Sequence, residues 1–450
     1  MARTPISRRT ALSLTAGAFA VPAVGVSGTG TAAAAPAGSG PNPVLGCELL
    51  AEVTPRANWR VTAVVIRYAR PLGIRKGTIA PGAFTVTATA AGATAPRTVT
   101  AVVPDADGRA LVLELDPGDP NAAVVPPGLG GVLPPLHSTY AVRQVADLTG
   151  ADGRVVLPAS PFAIRNEGPV RTPVADDFTA GSFTGSHGFA LRYRLHQPEG
   201  FRRSPGAGRR YPLVVTLHGG GEVADNNVTQ LTANRIAVTF AKPERQRRDP
   251  AFVLAPQVPL PRPQEGQDGT DWTDARVRQA TVELIDAFTG AHPVDEDRIY
   301  LVGLSSGGRG VFDLLSRYPD RFAAALPTAG WGNESAMERI THIPLWADHS
   351  VDDDVVPYRE GRFGNPGTWT LMNAVERAGA RVTRDEWPND LPKAEFEARA
   401  RQLLRRARSA GSHTLFTSYP AGTTPGSPHL SWAQTYENDV VIDWLFGQSR

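Results

Sequence analysis

The sequence predicts an α/β chain, a mostly parallel sheet covered by helices, preceded by a small β-sandwich of Ig-like type. Three observations carry this. Residues 48–168 hold short runs rich in β-branched residues, broken by turn signals and free of helical periodicity. From about residue 186 onward, apolar runs of buried-strand length alternate with amphipathic helical stretches. The 450 residues, 41% hydrophobic and 20% charged, have the composition of a globular protein, long enough for about two or three domains.

Residues 1–35 read as an export signal. The paired arginines Arg8 and Arg9 open it, a moderately apolar run covers 11–26, and small residues at 31–35 offer cleavage sites. The arginine pair is of twin-arginine type, which exports folded protein, although Ala11 stands where an aromatic is usual. The apolar run is too short and too rich in Gly, Ser and Thr to anchor across ~30 Å of hydrocarbon. A secreted protein without stable membrane insertion is expected. Residues 36–47 read as a linker. Cys47 ends a stretch with the look of a lipoprotein box, but turn-formers separate it from the apolar run. It is expected instead as a half-buried cysteine opening the first strand. One cysteine excludes a disulfide framework, a zinc ribbon and a CxxC redox site.

Forty-six basic residues against 44 acidic give a net charge of +2. Loss of residues 1–35 removes three arginines and no acid, leaving −1. That balance leaves no electrostatic footprint for nucleic acid or an anionic membrane. The arginine clusters at 245–248 and 399–408 read as solvated faces.

The sandwich is placed at 48–170, with strands at 61–68, 84–88, 98–103 and 110–115 and a Pro/Gly-rich loop at 116–135. It holds no histidine–carboxylate cluster, so a scaffold role is expected. The second domain is placed at 186–450. Its strands are expected at 212–217, 252–256, 298–304, 322–327, 344–347 and 413–419. Helices are expected at 274–288 and 309–318; in the latter, Val311, Leu314, Leu315 and Tyr318 recur at helical spacing.

The chemistry concentrates in Gly303-Leu304-Ser305-Ser306-Gly307, set between a buried strand and an amphipathic helix. That is the context of a nucleophile elbow, in which the turn is too tight for side chains at the flanking glycines. Ser305 is the expected nucleophile, beside the positive end of the following helix. Leu217-His218-Gly219-Gly220-Gly221-Glu222 follows an earlier strand as a glycine loop. The amides of Gly220, with Gly221 beside it, and of Ser306 would form an oxyanion hole, worth ~2.7–4 kcal/mol of transition-state stabilisation per donor. His218 is expected to brace the loop. An elbow of this kind takes its acid and then its histidine after the serine. Of His342, His349, His413 and His429, only His429 falls in a loop between the last strand and the last helix. Four aspartates, Asp348, Asp352, Asp353 and Asp354, fit the acid by spacing.

These stretches, together with 191–195, 252–257, 297–331 and 429–445, resemble secreted bacterial esterases of the α/β-hydrolase superfamily with an Ig-like domain in front. Such enzymes are related to feruloyl esterases and polyhydroxybutyrate depolymerases. Their acid turn usually reads HGxxDxVVP. Aligned on Val355-Val356-Pro357, His349 and Ser350 take the HG positions and Asp353 the acid. Ser350 and Asp354 depart from the usual glycine and proline, which leaves Asp352 as the second choice. His429-Leu430-Ser431-Trp432 matches the histidine motif. The resemblance implies a Ser305–His429–Asp353 triad acting through an acyl-enzyme, with no metal or organic cofactor. The expected partner is a small-molecule or polymeric ester.

Trp331 and Trp272 are the candidate substrate-binding residues, and Trp432 is read as packing. Residues 391–412, an arginine-rich helix, read as an insertion reaching the pocket mouth. A serine peptidase of prolyl-oligopeptidase type is the rival enzyme, but about 120 residues of sandwich cannot supply its propeller. A non-catalytic polymer-binding protein on a hydrolase scaffold is the rival from another class. Retention of serine, histidine, acid and glycine loop together argues against it.

Overall fold

The computed structural model describes residues 42–54, 58–125, 137–198, 201, 208–260 and 271–450. The expected export signal and the first half of the linker lie outside the described residues, as does the second half of the 116–135 loop.

The front part is a sandwich of two four-stranded antiparallel sheets. Its strands are β1 (Val44–Thr54), β2 (Asn58–Tyr68), β3 (Phe84–Ala90), β4 (Ala93–Arg97) and β5 (Val99–Pro104). After β6 (Ala110–Leu115) and β7 (Thr139–Gln144) come a small hairpin, β8 (Leu148–Thr149) with β9 (Val155–Leu157), and then β10 (Ile164–Arg165). One sheet runs β1-β2-β6-β5 and the other β10-β7-β3-β4. In β3 the alternation is plain: Phe84, Val86, Ala88 and Ala90 point inward while Thr85 and Thr87 face out. Phe84, Val86 and Ala88 meet Leu111, Leu113 and Leu115 of β6 in one core. β1 starts inside the stretch read as linker, because Cys47 and Leu49 are buried in that core.

The second part is a nine-stranded mixed sheet, ordered β11-β12-β14-β13-β15-β16-β17-β19-β18. It starts at β11 (Thr179–Thr184), ahead of the expected boundary at 186, and β11 pairs antiparallel with β12 (Ala190–His196). The parallel strands are β13 (Tyr211–Leu217), β14 (Phe252–Gln257), β15 (Val294–Leu304), β16 (Ala324–Thr328), β17 (Leu345–Ser350), β18 (Val382–Glu386) and β19 (Thr414–Tyr419). Both faces are covered, which is why these strands read as continuous apolar runs. Successive side chains serve opposite cores. Leu213, Val215 and Leu217 join the core under α4 (Ala275–Ala291) and α5 (Ser306–Arg317), and Val214 joins the other. All six strands expected in this part are present, as are both helices. β18 and α6 (Thr368–Arg377) carried too weak a pattern to be read from the sequence.

The arginine-rich helix requires a correction. α7 (Lys393–Ala410) is not an insertion over the pocket; it is the crossover that joins the parallel neighbours β18 and β19. Phe396, Ala400, Leu403 and Ala407 form a buried stripe on it, packed into the same core as α9 (Asp439–Phe446). The arginines between them occupy its outer face, as expected of a solvated surface.

Candidate active site

Ser305 stands between β15 and α5 at φ 53° and ψ −121°, a left-handed conformation for a side-chain-bearing residue. Such a conformation costs ~1–3 kcal/mol and persists only where neighbours enforce it. Here the Ser305 N–H donates to Thr328 O at 2.9 Å, and Ser305 O accepts from Arg309 N at 3.0 Å. The glycines are required by contact. A Cβ on Gly303 would lie 2.3 Å from Gly307 O, and one on Gly307 would lie 1.9 Å from Leu217 O. The elbow is thus pressed against the end of β13, where the glycine loop begins.

That loop turns through a 3₁₀ segment, Gly220–Glu222. A Cβ on Gly220 would lie 3.9 Å from the Cβ of Ser306, so the two expected oxyanion residues are neighbours. Ser306 opens α5, where the first amides of a helix have no intrahelical acceptor. His218 braces the loop as expected. Its Nδ1 donates to Gly219 O at 2.7 Å, and its Nε2 accepts from Val258 N at 3.0 Å. Burial pulls this imidazole down to about 4, so it stays neutral. Glu222 is buried beside it, and burial raises its carboxyl against the pull of Asn234.

His429 lies in the 3₁₀ turn Pro428–Leu430 between β19 and the last helices, α8 (Trp432–Thr435) and α9. Asn389 holds this loop by donating to Thr424 Oγ1 and Ser431 O, each at 3.2 Å. His429 Nε2 is 2.9 Å from Ser305 Oγ, and its Nδ1 is 2.8 Å from Asp353 Oδ2. Nδ1 must carry the proton there, which leaves Nε2 to accept from the serine hydroxyl.

The four aspartates separate clearly. Asp353 is buried; its Oδ1 accepts from the N–H groups of Val355 and Val356, both at 2.9 Å. Its Oδ2 also lies 3.0 Å from His349 Nε2. Burial alone would raise this carboxyl, but the bonds from His349 and His429 outweigh it and hold the group well below the usual range. Asp352 is committed elsewhere, accepting from Gly422 N at 2.8 Å. Asp348 is buried against Thr435 Oγ1 at 2.9 Å, and Asp354 is exposed. His413 donates to Thr341 O, and His342 lies beside Asp320 at the surface.

Trp272 requires a correction. It is 1% exposed, donates its indole N–H to His218 O at 2.8 Å and packs under Gly310 of α5. It props the glycine loop and offers substrate no surface. Trp331 is buried just after β16; its ring lies 6.3 Å from that of the exposed Phe363, and Arg309 stacks over it at 5.6 Å. Trp432 packs its edge on His429 at 5.0 Å. The sequence reading missed Asn389 and Thr424, since a polar clamp reaching between two loops leaves no local pattern.

Comparison with known proteins agrees with this architecture. Residues 46–157 match the esterase Ig-like N-terminal domain family, and residues 192–355 match the esterase PHB depolymerase family. The protein NocK of Nocardia uniformis subsp. tsuyamanensis, an esterase by name, is 31% identical over 64% of this chain and 90% of its own. The bifunctional acetylxylan esterase/xylanase XynS20E of Neocallimastix patriciarum is 27% identical over 36% of this chain and 24% of its own. The crystal structure of a thermostable esterase is 30% identical, covers 90% of this chain and all of its own, and superposes with a TM-score of 0.71. The chain belongs to the PHB-depolymerase-type esterases that carry an Ig-like N-terminal domain, and is a carboxylic ester hydrolase.

Proposed function

We propose that this esterase is a secreted serine carboxylesterase working through a Ser305–His429–Asp353 triad. The observation that carries the reading is the unbroken line of hydrogen bonds from Ser305 Oγ through His429 to Asp353 Oδ2, at 2.9 and 2.8 Å. As Ser305 attacks the ester carbonyl, His429 Nε2 takes its proton, and Asp353 keeps the imidazole in the required tautomer and stabilises its cation. The developing oxyanion is received by the amides of Ser306 and Gly220. The alcohol leaves with the proton from His429. Water, activated by His429 in turn, then releases the acid from Ser305.

Export is supported by the basic start, apolar run and small-residue sites of residues 1–35. A relative from Arthroderma benhamiae, 26% identical over 32% of this chain, is by name a secreted protein. The substrate is a small-molecule or polymeric carboxylic ester, with the Ig-like part serving as a scaffold. Hydrolysis of p-nitrophenyl acetate, butyrate and octanoate by wild type and Ser305→Ala tests the reading. Turnover by the wild type and none above background by the variant is the expected result. Equal turnover by both would overturn it.

A further inference from the structure

We propose that His349 is a positioning residue of the esterase reaction: it anchors the same Asp353 oxygen that orients His429. The inference rests on the triad reading above and concerns a side chain that touches neither serine nor substrate.

His349 Nε2 lies 3.0 Å from Asp353 Oδ2 and 2.9 Å from Val356 O. Both neighbours only accept, so Nε2 carries the proton and shares it between them. Nδ1 is buried and has no partner among the described residues, which suits a bare acceptor better than an N–H. The ring itself is fixed. His349 is fully buried in β17, paired in register with Ser418 of β19, and its edge meets the Tyr358 ring at 5.6 Å and 82°.

The arrangement matters because Asp353 lies beyond the end of β17, in a turn. Its Oδ1 is held by two backbone amides, but Oδ2 faces a partner that changes during the reaction. His429 is neutral before attack and cationic after it, so its pull on Oδ2 alternates. His349 gives that oxygen a second donor whose protonation the reaction does not alter. With two imidazole N–H groups on Oδ2 and two amides on Oδ1, the carboxylate is saturated and cannot swing as His429 cycles. The other ionisable groups around the cluster are Glu222 of the glycine loop, which interacts electrostatically with His429, and Tyr358 beside the His349 ring.

The test compares His349→Phe, which keeps a ring but no donor, with His349→Gln, whose amide N–H₂ can still reach Asp353. Activity on p-nitrophenyl butyrate is measured across pH, beside Ser305→Ala. The Phe variant should lose about tenfold or more in kcat with KM nearly unchanged. Its acid limb should move to higher pH, because a carboxylate with one donor fewer holds protonated His429 more tightly. The Gln variant should recover most of kcat and restore the limb. Should melting by circular dichroism show the Phe variant unfolded, His349→Leu removes the donor with less bulk and carries the same expectations. A folded donor-less variant with kcat within about twofold of wild type overturns the proposal. So does a Gln variant as impaired as the others with an unmoved pH profile, which would reduce His349 to packing. Activity surviving in Ser305→Ala would instead sink the triad reading, whereas an inactive Ser305→Ala beside an unimpaired His349→Phe removes only the role of His349.

Discussion

Ser305 Oγ lies 2.9 Å from His429 Nε2 across 124 residues of chain. Two unrelated loops bring them together: an elbow forced by glycine contacts after β15, and a 3₁₀ turn after β19 held by Asn389.

Asp353→Asn keeps the shape of the acid but turns an acceptor into a possible donor. Facing an amide, His429 would favour the tautomer with its proton on Nε2, where it cannot accept from Ser305. The expected loss in kcat is roughly 10³–10⁴-fold with a small change in KM. Steady-state kinetics on p-nitrophenyl butyrate measures both, and a loss confined to KM would contradict the assigned role.

Gly307 and Gly290 make a contrasting pair. A Cβ on Gly307 would meet Leu217 O at 1.9 Å and His218 O at 2.7 Å, both backbone atoms, whereas Gly290 in α4 has nothing within 4 Å. Gly307→Ala should fail to fold or lose more than about 4 kcal/mol of stability. Gly290→Ala should gain about 0.5–1 kcal/mol from helix propensity. Urea unfolding measures both.

Asp348 should make stability fall with rising pH. Burial pushes its carboxyl up to about 7, against the hydrogen bond from Thr435. A folded value above the unfolded one means that the folded chain binds the proton more tightly. The resulting stability is complete below the ordinary carboxylate value of ~3.9 and is lost as pH rises through about 7. Asp348→Asn removes the ionisation, so its Tm should exceed that of wild type by more at pH 8 than at pH 5. A Tm difference independent of pH would show that Asp348 does not titrate in this range.

Trp272→Phe removes the indole bond to His218 O and with it part of the support for the glycine loop. The cost should be about 1 kcal/mol in stability, with a severalfold fall in kcat. That fall should be equal for acetate, butyrate and octanoate esters. A chain-length-dependent change in KM would return Trp272 to the substrate pocket.

The strands of the sheet and the elbow were legible because burial on both faces leaves continuous apolar runs, and because Gly303 and Gly307 occupy contacts that admit no side chain. His429 was legible from chain order. Asp353 was not separable from its neighbours by spacing, since four aspartates share one short stretch and only the fold sends Asp352 to Gly422 and Asp348 under α8. Trp272 was misread for a related reason: an aromatic near a glycine loop can face substrate or prop the loop, and sequence gives no direction to its indole N–H. The α7 helix was misread because its arginines mask a stripe of only four buried residues, Phe396, Ala400, Leu403 and Ala407. Its crossover role depends on β18, a strand with a weak pattern of its own.

The most direct test of the account is covalent capture. The wild-type protein is treated with an aryl fluorophosphonate, and the modified peptide is mapped by mass spectrometry while residual esterase activity is followed. The account predicts one adduct, on Ser305, with activity lost in proportion to labelling. An adduct confined to Ser306 or another residue, or full loss of activity with Ser305 unmodified, would contradict it.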